Sequence, residues 1–314
     1  MVDLPRCRHL VAAVVLCLTV FIGSGAHAQS APPLVDPAWL VGQLQDPHLV
    51  LLDLRRKAAY DAGHLSGAIN IDPATVSFRQ PASNGGSRLP SAVEFAARLG
   101  GLGVRAEDKI VLISAGDSWL DVAGATDVFW LIKRFGHAQV AILDGGFRRL
   151  AEAAGIRLVR NSVVRPKTVY AVGSPLVRSY RVEDLIDLSS TVLRVDARLR
   201  AQYLGINKTA VVARYGTMPG AKNLPGNWVT YDAAGRLRTA DDLRRVVDLA
   251  GIPQQGQMVV FGNTSAAGSL VWFALRVILG NREVRLYDGG FREWAADPAR
   301  SVVVHVGSGE TQRP

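Results

Sequence analysis

The sequence predicts an α/β protein of two tandem domains, each a mainly parallel sheet flanked by helices. Two observations predict it. Three short motifs occur twice in one order, and short apolar strand-like runs alternate with amphipathic helical runs in both halves. The first copy carries Asp53-Leu54-Arg55, then Gly63-His64-Leu65-Ser66-Gly67-Ala68, then Asp144-Gly145-Gly146-Phe147-Arg148. The second carries Asp196-Ala197-Arg198, then Gly216-Thr217-Met218-Pro219-Gly220-Ala221, then Asp288-Gly289-Gly290-Phe291-Arg292. Asp53 to Asp144 is 91 positions and Asp196 to Asp288 is 92, the mark of a duplicated unit. Strands alternating with helices imply parallel pairing with both sheet faces covered.

The elements follow in order. In the first copy, 49–52 is a buried strand. Residues 91–99 form an amphipathic helix with Ser91 as N-cap and Glu94 closing a capping box. Residues 109–114 are a second buried strand, 126–135 a helix ended by Gly136, and 139–143 a strand running into the Gly145-Gly146 turn. The second copy repeats this. Residues 191–195 are a strand, and 239–250 a helix with Asp242 in the capping position. A strand at 257–261, a helix at 265–279 ended by Gly280 and a strand at 283–287 follow. The expected organisation is a signal peptide at 1–28, a first domain at 29–160, a linker at 161–178 with Pro166, Gly173 and Pro175, a second domain at 179–305 and a tail at 306–314.

The leader fixes the expected compartment. Arg6 and Arg8 precede an uncharged apolar run at 10–22, and Ala26-His27-Ala28 is an A-x-A cleavage site. Thirteen residues reach about 20 Å as a helix, short of the ~30 Å bilayer core, so no membrane span is expected after cleavage. The expected location is the periplasm. Cys7 and Cys17, the chain's two cysteines, both lie in the leader, so the mature chain has no thiol. Without residues 1–28 the net charge is +8, from 34 basic and 26 acidic residues. The basic residues are dispersed and no basic helix interleaved with aromatics appears, which argues against nucleic acid. The histidines show no ligand spacing, so neither a metal nor any other cofactor is expected. His64 and His137, each after a glycine, read as hydrogen-bonding groups, and the Asp-Gly-Gly-Phe segments as tight structural turns.

These motifs resemble those of the tandem-domain rhodaneses, the thiosulfate and mercaptopyruvate sulfurtransferases, over residues from about 35 to 305. The resemblance implies two rhodanese-like domains with catalysis in one, usually the second. There, a strand ends in a Cys-x-x-Gly-x-[Ser/Thr] loop that opens a helix. Backbone N–H groups around the loop lower the thiol pKa, and the thiolate carries sulfur as a persulfide.

The matching segment here departs from that pattern. It reads Phe261-Gly262-Asn263-Thr264-Ser265-Ala266-Ala267-Gly268-Ser269, and the cysteine slot falls on Asn263, counting back from Asp288, or on Gly262, directly after the aromatic. Neither is a nucleophile. In the first copy the loop after Ser114 is longer and also lacks cysteine. Gly262, Asn263, Thr264, Ser265, Ala266 and Gly268 are the candidate anion pocket, since a helix N-terminus offers free N–H groups and about half a positive charge. Thr264 or Ser265 could equally be a plain N-cap. Arg198 is the candidate anion contact by resemblance, or else an ion-pair partner of Asp196. The expected function is a non-catalytic pseudo-sulfurtransferase binding a small sulfur-containing anion or a periplasmic protein partner. The alternative is a sulfurtransferase using a non-standard or partner-supplied nucleophile.

Overall fold

The computed structural model describes residues 31–73, 78–81, 87–153, 155–161, 163–231 and 235–306. The predicted signal peptide lies outside these residues, as does the predicted tail beyond Val306.

Two five-stranded sheets form the framework. The first contains β1 (Leu34–Val35), β2 (Leu49–Asp53), β3 (Ile69–Asn70), β4 (Lys109–Ile113) and β5 (Val140–Leu143), in the spatial order β1-β5-β4-β2-β3. The second contains β6 (Ser179–Tyr180), β7 (Leu193–Asp196), β8 (Lys222–Asn223), β9 (Met258–Phe261) and β10 (Val284–Tyr287), in the order β6-β10-β9-β7-β8. Every pairing within them is parallel. The same order with the same direction confirms the duplication read from the motifs. Continuous apolar runs such as Ile110–Ile113 and Met258–Phe261 are buried because helices cover both faces.

The flanking helices of the first domain are α1 (Pro37–Gln43), α2 (Lys57–Ala62), α3 (Ala92–Gly101), α4 (Trp119–Arg134) and α5 (Gly146–Ala151). Those of the second are α6 (Val182–Ile186), α7 (Arg200–Leu204), α8 (Ala240–Leu249), α9 (Ser265–Trp272) and α10 (Gly290–Ala296). The Ser91–Glu94 capping box opens α3 as the sequence predicts, and Thr239 caps α8 by accepting from the Asp242 N–H. Two elements differ from expectation. α4 begins seven residues before 126, because Ser118 and Asp121 form a second capping box that the apolar pattern does not reveal. The predicted helix 265–279 is α only to Trp272 and continues as a π-helix from Phe273 to Ile278, a form with no sequence signature.

The domains join through α4 and α9. Phe129 meets Phe273 edge-on at 5.0 Å and Trp272 at 6.5 Å, and the Thr126 and Ser269 hydroxyls are 3.0 Å apart in the buried interface. Residues 163–178 carry no helix or strand, yet they are fastened to the first domain. Thr168 N–H donates to the Gly100 carbonyl and Gly173 N–H to that of Phe135, while the Tyr170 ring is buried edge-on to Phe95.

Candidate functional site

Each sheet places two loops side by side at the carboxyl ends of its second and fourth strands. In the second domain these are the segment after β7 (Ala197–Leu199) and the loop Gly262–Thr264 between β9 and α9. The same backbone bonds hold both domains' loops. Phe291 N–H donates to the Gly262 carbonyl at 2.7 Å and Arg292 N–H to that of Asn263 at 3.0 Å. Phe147 N–H donates to the Ser114 carbonyl at 2.8 Å and Arg148 N–H to that of Ala115 at 3.0 Å. Gly262 therefore corresponds to Ser114, and Asn263 to Ala115. Gly146 and Gly290 make this docking possible: both have positive φ, and a side chain at Gly290 would strike the Asn263 carbonyl at 2.7 Å.

The backbone separates the two candidate slots. A Cβ on Gly262 would lie 2.7 Å from the Thr264 carbonyl oxygen and 3.0 Å from the Gly268 nitrogen. No side chain fits there without displacing backbone, so Gly262 closes the loop against Gly268, and Asn263 is the position that presents a side chain. Its amide pairs with Gln202 of α7, Nδ2 to Oε1 at 2.9 Å, and the buried Oδ1 has no partner among the described residues. Exchange of O and N in both amides preserves that bond and turns the Asn263 NH₂ into the unpartnered position.

Thr264 stands at the N-cap of α9, but its side chain makes no capping bond. In the first turn Ser265 is buried and Ala266 half-buried, and the Ser269 hydroxyl donates to the Ala266 carbonyl. Arg198 is 2 % exposed. Its Nε and Nη2 bind both oxygens of Asp196, Nη2 also reaches the Gly216 carbonyl at 2.7 Å, and the guanidinium stacks on Phe291 at 3.9 Å. The structure thus commits Arg198 to the Asp196 ion pair, the alternative that the sequence left open. Arg55 does the same with Asp53 and the Gly63 carbonyl, under Phe147.

The first domain's loop differs. Asp121, at the third position of α4, accepts from the N–H groups of Asp117 and Ser118 at 3.0 and 2.9 Å and from the Ser118 hydroxyl at 3.1 Å. The position that would hold an anion is filled by the chain's own carboxylate. Beside it lies a cavity of about 340 Å³. Its walls come from the residues that follow β2 and β4, from the segment after β3 that includes Ile71, Phe78 and Arg79, and from α4.

Sequence reasoning missed one role of the Asp-Gly-Gly turns: each aspartate docks the other domain. Asp144 accepts from the Leu237 N–H of the second domain at 3.0 Å, and Asp288 receives Arg79 Nη1 of the first at 3.2 Å. Arg79 also grips Asp127 of α4 with Nε and Nη2. Burial raises the pKa of both Asp144 and Asp288, with Arg79 opposing the rise at Asp288. The duplicated position was visible in the sequence; its cross-domain partner was not. The histidines are hydrogen-bonding groups. His64 bonds the carbonyls of Tyr60 and Asn161, and His137 bonds the Tyr170 hydroxyl and the Asp108 carbonyl. Asn281 takes the matching place in the second domain, donating to the Gly256 carbonyl. Among the described residues no group of His, Cys, Asp and Glu could hold a metal ion.

The description "Rhodanese-like domain" matches residues 36–153 and 181–297. The chain belongs to the rhodanese-like family. This rhodanese-like protein is 29 % identical over 313 residues to a Synechococcus elongatus protein named "Putative thiosulfate sulfurtransferase", covering 93 % of this chain and 94 % of the relative. It is also 29 % identical over 277 residues to the sulfur carrier protein TtuD of Thermus thermophilus, covering 83 % and 93 %. Among solved structures it resembles wild-type EanB, with a TM-score of 0.74 at 20 % identity over 88 % of this chain and 70 % of that one. A second likeness is the anaerobic ergothioneine biosynthesis enzyme of Chlorobium limicola, again with a TM-score of 0.74 at 20 % identity, over 89 % and 72 %. At that identity the likeness shows a shared fold. No helix among the described residues is long and apolar enough to cross a membrane.

Proposed function

We propose that this rhodanese-like protein is a non-catalytic member of its family, exported to the periplasm, which holds a small sulfur oxyanion at the loop Gly262–Thr264 and the first turn of α9. One observation carries the reading: Asn263 stands where the family's chemistry requires a thiolate. A carboxamide has no lone pair nucleophilic enough to take a sulfane sulfur and then release it. Residues 29–314 contain no cysteine, so the mature chain offers no substitute. The surrounding backbone supports anion binding. α9 has no side-chain cap, its dipole favours negative charge, and the Asn263 amide can turn an N–H toward the loop. Arg198, spent on Asp196, is left out of the pocket. The small oxyanion is preferred to a protein partner because what the loop offers is single N–H groups, not an extended surface.

The test is calorimetric titration of thiosulfate and of sulfite into the mature chain and into Ala267→Asp. That substitution places a carboxylate three residues after Thr264, as Asp121 stands after Ser118. Saturable binding by the native chain, weakened about tenfold or more in the variant, is the expected result. Absence of saturable binding, or binding indifferent to Ala267→Asp, contradicts the reading. Sulfur transfer to cyanide by the unaltered chain would favour the alternative, a sulfurtransferase with a non-standard or partner-supplied nucleophile.

A further inference from the structure

The cavity of the first domain has no part in the site just described. We propose that it binds a small monoanion with an apolar body. Four observations carry this.

The first is its place in the fold. From β2 the chain runs outward to β3 and then returns to β4 on the other side of β2. The cavity lies where those connections diverge, beyond the carboxyl ends of β2 and β4, and such switch points are where open α/β sheets form ligand crevices. Its volume, about 340 Å³, falls at the lower end of the range for small-molecule sites. At ~30 Å³ each it holds roughly eleven water-sized groups.

The second is an unmet hydrogen bond. Ser114, following β4, is 2 % exposed and lines the cavity, and its hydroxyl has no partner among the described residues. Buried hydroxyls are almost always bonded, so this one calls for a partner that the described residues do not supply.

The third is charge. Of the lining cations, Arg55 is bound to Asp53, and Arg79 to Asp127 and Asp288. Arg56 is exposed and carries no ion pair among the described residues. The lining carboxylates are engaged, Asp127 by Arg79 and Asp121 by the cap of α4. A single guanidinium at the rim thus faces walls of Leu54, Ile71, Phe78, Val128 and Leu131, an arrangement that fits one negative charge on an apolar body. Because Asp121 already fills the helix N-terminus, the charge is drawn to Arg56 and not to backbone N–H groups.

The fourth is Gly124. It lies inside the 16-residue helix α4, where glycine is unfavourable, and it lines the cavity. A Cβ there would meet no atom within 4 Å, so the glycine leaves the mouth open beside Leu120, itself 59 % exposed.

The experiment titrates the full mature chain with benzoate, benzyl alcohol and benzylamine by ligand-detected NMR and calorimetry. These probes share one body and differ in charge. Benzoate is expected to bind saturably and about tenfold more tightly than benzyl alcohol, with no measurable binding of benzylamine. Arg56→Gln should reduce the benzoate preference to near that of the alcohol, and Ser114→Ala should weaken both probes. Gly124→Leu should fold normally, since it adds a helix former in open space, and should abolish binding. Gly124→Ala serves as the smaller change if the leucine variant fails to fold, and should weaken binding. Four results would overturn the proposal: no saturable benzoate binding up to about 10 mM, benzylamine binding as tightly as benzoate, binding that survives Gly124→Leu, or an unchanged preference in Arg56→Gln.

Discussion

The loops after β4 and β9 occupy the same place in duplicated domains and are held by the same two backbone bonds, but they treat the following helix in opposite ways. In the first, Ser118 and Asp121 satisfy the helix N-terminus from within, and the loop has four residues between Ser114 and α4. In the second, two residues separate Gly262 from α9, and Thr264 at its N-cap makes no side-chain capping bond among the described residues. Self-capping stabilises a helix and occupies its first N–H groups; leaving the cap off costs stability and leaves those groups without a side-chain acceptor. The uncapped loop lies in the second rhodanese-like domain, and the proposed anion site rests on that difference between the two helix ends.

The largest expected effect tests what the domains share. Asp53→Ala and Asp196→Ala each strand a buried arginine, at a cost of about 3–5 kcal/mol. Asp196→Ala should be the more damaging in urea denaturation. Thr217 donates its hydroxyl to Asp196 at 2.6 Å, whereas His64, its counterpart, turns to backbone carbonyls. Equal losses would mean that the Thr217 bond contributes nothing.

Next comes the His137–Asn281 pair. Burial lowers the pKa of His137 from its usual 6.5, so the folded chain keeps the ring neutral while the unfolded chain binds the proton. Stability from this group is full above pH ~6.5 and falls as the pH drops below it, by up to about 1.4 kcal/mol per pH unit. His137→Asn copies the second domain and should flatten that part of the pH–stability curve. An unchanged slope between pH 7 and 5.5 would assign it to other groups.

Smaller effects come from exchanging the caps. Asp121→Ala should cost about 1 kcal/mol by removing a capping box, a thermal shift of a few degrees. Ala267→Asp should stabilise by several tenths of a kcal/mol while weakening anion binding. A variant that gained stability and kept its anion would uncouple the two roles of the helix end.

Much of this architecture is legible in the sequence. The motif spacing reveals the duplication, and buried strands such as Ile110–Ile113 read as continuous apolar runs. Ser91-x-x-Glu94 announces α3. Ser118-x-x-Asp121 carries the same information in a less typical form, so the apolar pattern alone places the start of α4 at Thr126. The site is less legible, because its decisive facts concern backbone approach. That Gly262 can carry no side chain follows from Thr264 and Gly268, and that Arg198 is unavailable follows from Asp196 and Gly216. The docking of Arg79 on Asp288 joins residues 209 positions apart, and no local pattern encodes it.

The most direct test is the initial rate of thiocyanate formation from thiosulfate and cyanide by purified residues 29–314, which contain no cysteine, in thiol-free buffer. A cysteine-containing relative run alongside shows that the assay works. The expected rate is indistinguishable from the protein-free control. A rate that rises in proportion to the concentration of this chain would contradict it, and would require a sulfur-accepting group other than a thiol.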